Sequence, residues 1–326
     1  MTRQEFIAKL QSLIELGDDF KALVFFAVKG GDGITIKKAN IKQTVLNSLA
    51  VDFKQIIQDE ITKFENDNER LVLNLSDRDE RANVIYRYDL PDSEPSFFNS
   101  MRQVVEQHPA DFYTNERMFN FDVDSLSSID YFITILGAED NKIVIYRNNF
   151  NINLLKQGRG KMYITKSGTQ FDIVCDDILR LDMQIDALLI ENDFYILNLK
   201  YLDNNKEFAT IIINRAEKSV DKIQELELVD DIEELRNRLL ELSFSRRLMR
   251  AFDSSPVTEM PKNIVLDFIR NHDKLKNILK IENDKIKLSS KKSQDSFVRL
   301  LNDDFLFSKL TQNDYESMSK NILKED

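Results

Sequence analysis

A pattern repeated along the first two thirds of this chain constrains its fold most: two short apolar runs of strand length, joined by a few polar or glycine residues. "KALVFFAVKGGDGITIKKANI", "DYFITILGAEDNKIVIYRNNF", "KMYITKSGTQFDIV" and "IDALLIENDFYILNLKY" all follow it. Each predicts an antiparallel β-hairpin, because strands joined by so short a link must run in opposite directions. Residues 2–16, "QTVLNSLAVDFKQIIQDEITKFEND" and residues 96–107 instead space their apolar positions by three and four, as helices with one buried face do. Gly17 stands as a C-cap for the first of these. "ERLVLNLSD" and "NVIYRYDLP" read as further strands, and Ile211–Ile213 fits a last strand or the start of a helix.

Beyond about residue 215 the spacing turns helical over Leu226–Leu248. A proline-bounded polar stretch, "SPVTEMP" from Ser255 to Pro261, then interrupts it, and from Asn263 short helices alternate with polar links. The expected fold class is α+β: an N-terminal α/β portion rich in antiparallel hairpins, followed by a mainly helical C-terminal portion. The expected domains are 1–130, an N-terminal α/β domain, and 131–326. The second divides into a β meander over 131–214 and a helical basic region and tail over 215–326.

Composition excludes several classes of chemistry. The single cysteine, Cys175, rules out an intramolecular disulfide and a cysteine-cluster zinc site, and its setting "FDIVCDDI" reads as a buried structural thiol. Only His108 and His272 could serve a histidine-dependent mechanism, and both stand where helix ends and loops are expected. Among the eight glycines, "KGGDG" is the one cluster; it lacks the Lys-Ser/Thr of a phosphate-binding loop and reads as a hairpin turn. No apolar run approaches the roughly 18 residues that a membrane-spanning helix needs, and the N-terminus lacks a secretory pattern. A cytoplasmic protein without a cofactor is expected.

One hairpin suggests catalysis. Asp186 falls on the first strand of "IDALLIENDFYILNLKY", and Asn198 and Lys200 fall two apart on the second, which would place them on one face. This approaches a metal-dependent nuclease core, in which an Asp and a following Glu-x-Lys hold a divalent ion and position water. A hard cation wants anionic oxygen ligands, and Asn198 offers a neutral carbonyl where that pattern needs a carboxylate. Asp182, four residues before Asp186, and Glu191, in the turn, are not clearly placed to replace it. No catalytic or metal-binding residue is therefore assigned.

Charge points to binding instead. The net charge is −11, yet residues 236–292 hold 14 Lys or Arg against 7 Asp or Glu, a local +7 that leaves −18 elsewhere. In "SFSRRLMRAF", Arg246 and Arg250 share a helix face beside Arg247, with Phe244, Leu248 and Phe252 beneath. "DKIKLSSKKSQ" adds Lys285, Lys287, Lys291 and Lys292, with Ser290 or Ser293 as a cap for the following helix. Such cations neutralise phosphates without reading bases. Just upstream, "ELELVDDIEEL" reads as a solvated helix face, or more sharply as an internal decoy or a contact for a basic partner.

The meander, the Asp186 hairpin and above all "LLNDDFLFSKLTQNDYESMSK" resemble the family of KwaB, the soluble component of the Kiwa anti-phage defence system, over about residues 130–326. Residues 131–326 would then be the KwaB-family domain. Where family members carry an aromatic-acid pair after the second hairpin strand, this chain has "NLKY", so no site is carried over there. The resemblance implies a bacterial protein that binds double-stranded phage DNA and blocks its replication or expression without cutting it. It also implies a multi-spanning membrane partner, KwaA, which would recruit the protein to the inner membrane. Homo-oligomerisation is expected on avidity grounds. The alternatives are a degenerate or cryptic metal-dependent nuclease and an adaptor whose acidic body docks on a basic membrane partner.

Overall fold

A computed structural model describes the chain apart from residues 69, 79–82, 91–93, 107–116, 151–152, 156–162, 175, 309 and 318–326. In order, it contains α1 (Arg3–Ile14), β1 (Lys21–Gly30), β2 (Gly33–Lys38), α2 (Gln43–Asn66), β3 (Leu71–Asn74), β4 (Val84–Arg87) and α3 (Ser96–Glu106). Next come β5 (Ile129–Gly137), β6 (Lys142–Asn148), β7 (Leu154–Leu155), β8 (Ile164–Ser167), β9 (Gln170–Ile173), β10 (Ile178–Leu179), β11 (Ala187–Ile190) and β12 (Asp193–Ile196). The helices α4 (Leu199–Asn204), α5 (Lys206–Glu225), α6 (Glu233–Arg236), α7 (Leu242–Ser254), α8 (Lys262–Asn271) and α9 (Leu275–Ile278) follow. The last elements are β13 (Lys280–Glu282), β14 (Lys285–Lys287), α10 (Lys291–Leu301), β15 (Phe305–Ser308) and β16 (Asn313–Glu316). The fold is α+β, with a hairpin-rich sheet in the N-terminal portion and helices more prominent towards the C-terminus.

The chain forms two compact units, residues 1–72 with 95–201 and residues 73–94 with 202–326. Their limits differ from the expected division at residue 130, because β5, which starts at Ile129, pairs with β1 along almost its whole length. The first unit holds the consecutive antiparallel strands β2, β1, β5, β6, β11 and β12. Phe194 and Tyr195 are neighbours on β12 and so point to opposite faces. Phe98 of α3 stacks on Phe194 at 3.7 Å between ring centroids, whereas Phe6 of α1 meets Tyr195 at 5.1 Å. Helices therefore cover both faces, which is why β5 and β6 are apolar almost without alternation.

The second unit has its own core, in which Val220, Phe244, Leu248, Leu266, Phe297 and Leu301 are buried. Ile211–Ile213 belong to α5, whose first turn is capped by Asn205 accepting from the Phe208 amide. The region after Asn263 contains more than helices and links. "KIENDKIK" forms the hairpin β13–β14 through Asn283 and Asp284, both at positive φ (52° and 53°), and β15 pairs with β16. Cys175 and His108 lie outside the described residues. His272 caps the C-terminus of α8, and its Nδ1 accepts from the Lys274 and Leu275 amides. Among the described residues, no helix is long and apolar enough to cross a membrane.

Gly137 closes the β5–β6 hairpin at φ 120°, where an added Cβ would collide with the Asn141 carbonyl oxygen. Gly31, in the β1–β2 turn, has open space around its Cα. Chemical denaturation should show Gly137→Ala destabilised by about 2 kcal/mol or more, and Gly31→Ala within about 0.5 kcal/mol of the parent.

Candidate nucleic-acid interface

The hairpin around Asp186 is built differently from a metal site. β12 ends at Ile196, so Asn198 lies beyond the strand and Lys200 lies on α4, exposed to solvent. The two are not strand neighbours on one face. Asp186 is 1% exposed; its Oδ1 accepts from Arg147 Nη1 at 2.8 Å and from Asn198 Nδ2 at 2.6 Å, and its Oδ2 accepts from the Asn148 amide at 2.9 Å. The other fork of Arg147 donates to Asp182 Oδ2 at 2.6 Å. Asp182 is thus brought to the same centre, which its spacing alone did not make clear. Two carboxylates converge as they would on a cation, and the cation present is a guanidinium.

Strand geometry produces this arrangement. Tyr146 on β6 pairs with Ala187 on β11, so Arg147 leaves β6 beside the residue that precedes β11. The Arg147 guanidinium also lies over the Phe150 ring, 5.1 Å from its centroid. Burial pushes the Asp186 carboxyl above its usual range, against the Asn148 amide, Arg147 and Asn198, which favour the ionised form. At Asp182 burial acts in the same direction but is outweighed by Arg147, the Gln184 amide and Arg180, which leave that carboxyl below the usual range. Neither Arg147 nor its role was evident in the sequence; the available signal was an arginine within the apolar strand pattern "KIVIYRN".

The expected DNA-contacting cations fall on three elements of the second unit. Arg246, Arg247 and Arg250 are on α7, above the buried Phe244 and Leu248; the Phe252 side chain lies outside the described residues. Lys285 and Lys287 are on β14, and Lys291 and Lys292 occupy the first turn of α10, where Ser290 is the N-cap and accepts from the Ser293 amide. Most of these cations meet carboxylates. Arg247 pairs with Asp295 at 3.1 Å, Arg250 with Asp304 at 3.9 Å, Lys287 with Glu282 at 2.7 Å, and Lys291 with Glu241 at 2.6 Å. Arg246 donates through Nε to the Leu242 carbonyl at 3.2 Å. Lys285 and Lys292 have no carboxylate partner among the described residues.

An arginine not singled out in the sequence joins these elements. Arg238, 8% exposed, donates to Glu241 at 2.8 Å and to Gln294 at 3.1 Å, and pairs with Asp295 at 3.2 Å. Its guanidinium lies over the Phe244 ring, 4.1 Å from the centroid. It anchors the start of α7 to the start of α10, so Arg247 and Lys291 are held around one polar cluster. Bonds from Arg238 and then Lys291 hold the Glu241 carboxyl down to about 2.

A family model described as Kiwa protein KwaB-like matches residues 126–311. The Kiwa protein KwaB of Escherichia coli O55:H7 (strain RM12579 / EPEC) is 28% identical over 331 residues, spanning the whole of both chains. That similarity includes the N-terminal third, beyond the 130–326 range in which the resemblance was visible. No solved structure matches.

Two outcomes follow for the buried centre. Arg147→Met leaves Asp186 buried without its cation and should lower stability by about 3–5 kcal/mol, whereas Lys200→Ala should stay within about 0.5 kcal/mol. Because the folded-state value of Asp182 is lowered, its contribution is present above the usual carboxylate range and disappears as pH falls through the folded value. Asp182→Asn should therefore be less stable than the parent at neutral pH, with the gap closing below about pH 4, as read by urea unfolding across pH.

Proposed function

The chain belongs to the Kiwa protein KwaB-like family, and so to the Kiwa anti-phage defence system; on that premise we propose that it binds phage DNA without cutting it and thereby blocks replication or expression. The contact surface in this reading comprises Lys285, Lys287, Lys291 and Lys292, with Arg246, Arg247 and Arg250 beside them. One observation carries it. Lys291 and Lys292 stand in the first turn of α10, where the helix dipole disfavours cations. An incoming phosphate is favoured both by these lysines and by the positive end of the helix. Lys285 and Lys292, without carboxylate partners among the described residues, are the contacts available first.

The non-catalytic part of the proposal is supported by the Asp186 centre, where Arg147 occupies the position between the carboxylates that a divalent ion would need. Recruitment by the membrane partner KwaA fits the charge balance. The −18 of the chain outside residues 236–292 is unsuited to DNA but complements the basic cytoplasmic loops of membrane proteins. Repetition of the cationic face in a homo-oligomer would raise avidity for one long duplex.

The test is paired charge reversal. Lys285→Glu with Lys292→Glu should weaken duplex binding at least about tenfold and lower the slope of log affinity against log salt by about 2. Lys200→Ala should bind as the parent does. Unchanged affinity and slope in the double variant, measured by fluorescence anisotropy, would remove this face from the interface.

A further inference from the structure

The acidic tract Glu225–Glu234 directly precedes the basic region in sequence, and the fold brings part of it back onto the lysines. Val229 forms a parallel bridge with Ile286: the Ile286 amide donates to the Leu228 carbonyl at 2.8 Å, and the Asp230 amide donates to the Ile286 carbonyl at 3.1 Å. Residues 228–230 thus run as a short third strand beside β14. Val229 and Ile286 are both buried, so the alternation of strands turns their neighbours Asp230 and Lys287 outward together. Asp230 Oδ2 lies 4.0 Å from Lys287 Nζ.

The same arrangement recurs where α7 faces α10. Glu241 bonds Lys291, and Asp295 sits between Arg238 and Arg247. These three carboxylates come from three different elements, yet each lies against a cation of the proposed interface. None is deeply buried: side-chain exposure is 53% for Asp230, 39% for Glu241 and 36% for Asp295. They are open to exchange with an incoming anion. Glu241 is the N-cap residue of α7 but makes no side-chain cap bond, so capping does not explain its position.

We propose that Asp230, Glu241 and Asp295 are built-in counter-ions that compete with phosphate for this cationic face and set the threshold for DNA binding. The inference rests on the DNA-binding reading above. A single phosphate gains little by displacing a carboxylate from its partner, because one exposed ion pair is exchanged for another. A long duplex presents many phosphates at fixed spacing, displaces several carboxylates together and releases its own condensed counter-ions. The protein then discriminates by length and charge density, ignoring nucleotides and short fragments while holding extended DNA.

The experiment compares the full chain with a variant carrying Asp230→Asn, Glu241→Gln and Asp295→Asn, using anisotropy on short and long duplexes across salt. Asp52→Asn, which removes one negative charge from the exposed face of α2, serves as the control. Each amide should tighten binding about two- to fivefold, the range an exposed pair carries, with the larger gain on the short duplex. If the folded triple variant, checked by circular dichroism, gains no more than the control, the counter-ion inference is overturned. Should the triple variant lose its fold, Glu241→Gln alone carries the same expectation. The DNA reading is tested separately by Lys285→Glu with Lys292→Glu. Loss of binding there without tightening by the amides removes only the counter-ions, whereas unchanged binding there together with tightening by the amides relocates the interface towards Lys287, Lys291 and Arg247 and retains the counter-ions.

Discussion

The ion pair between Arg147 and Asp186 is the constraint on which the first unit most depends. A carboxylate 1% exposed is tolerable only if its lone pairs are filled, and here a guanidinium, an amide side chain and a backbone N–H fill them. Because these donors come from the end of β6 and the segment after β12, the pair fixes how the β11–β12 hairpin sits on the sheet. It also decides the chemistry. Two carboxylates brought together are the beginning of a divalent-metal site, and a guanidinium held between them neutralises the charge that would attract the metal.

In the second unit the same pairing of charges gives a different result. The excess of cations in residues 236–292 is largely matched by carboxylates, some within that region and others, such as Asp230 and Asp295, just outside it. Arg238 is consumed structurally, packed on Phe244 and bonded to Glu241 and Gln294. Local net charge therefore overstates the positive field available to a ligand. What remains for recognition is narrower: the two lysines of the first turn of α10, the neighbouring β14, and cations whose carboxylate partners are exposed enough to be displaced.

The hairpins were legible because strand alternation and tight turns are local properties. β1–β2, β5–β6, β8–β9 and β11–β12 all lie where short-range pattern placed them. The Ser290 cap was legible for the same reason. "KIENDKIK" carried the same signal, alternation around an Asn-Asp turn, but its strands are so short and charged that it passed as a polar link. The α+β class was visible, whereas the compact units were not, since the pairing of β1 with β5 joins segments about a hundred residues apart.

The site was less legible than the fold. Sequence spacing identified Asp186 but not Arg147, because a buried pair across strands depends on register, which is a tertiary property. It identified the cations but not their partners, for the same reason. The most direct test of the account is a salt titration of the unmodified protein with labelled duplex DNA, in Mg²⁺ and in chelator, followed by electrophoresis of the same DNA. The account predicts binding that falls steeply with salt, is indifferent to chelation and leaves the duplex intact; magnesium-dependent cleavage would contradict it.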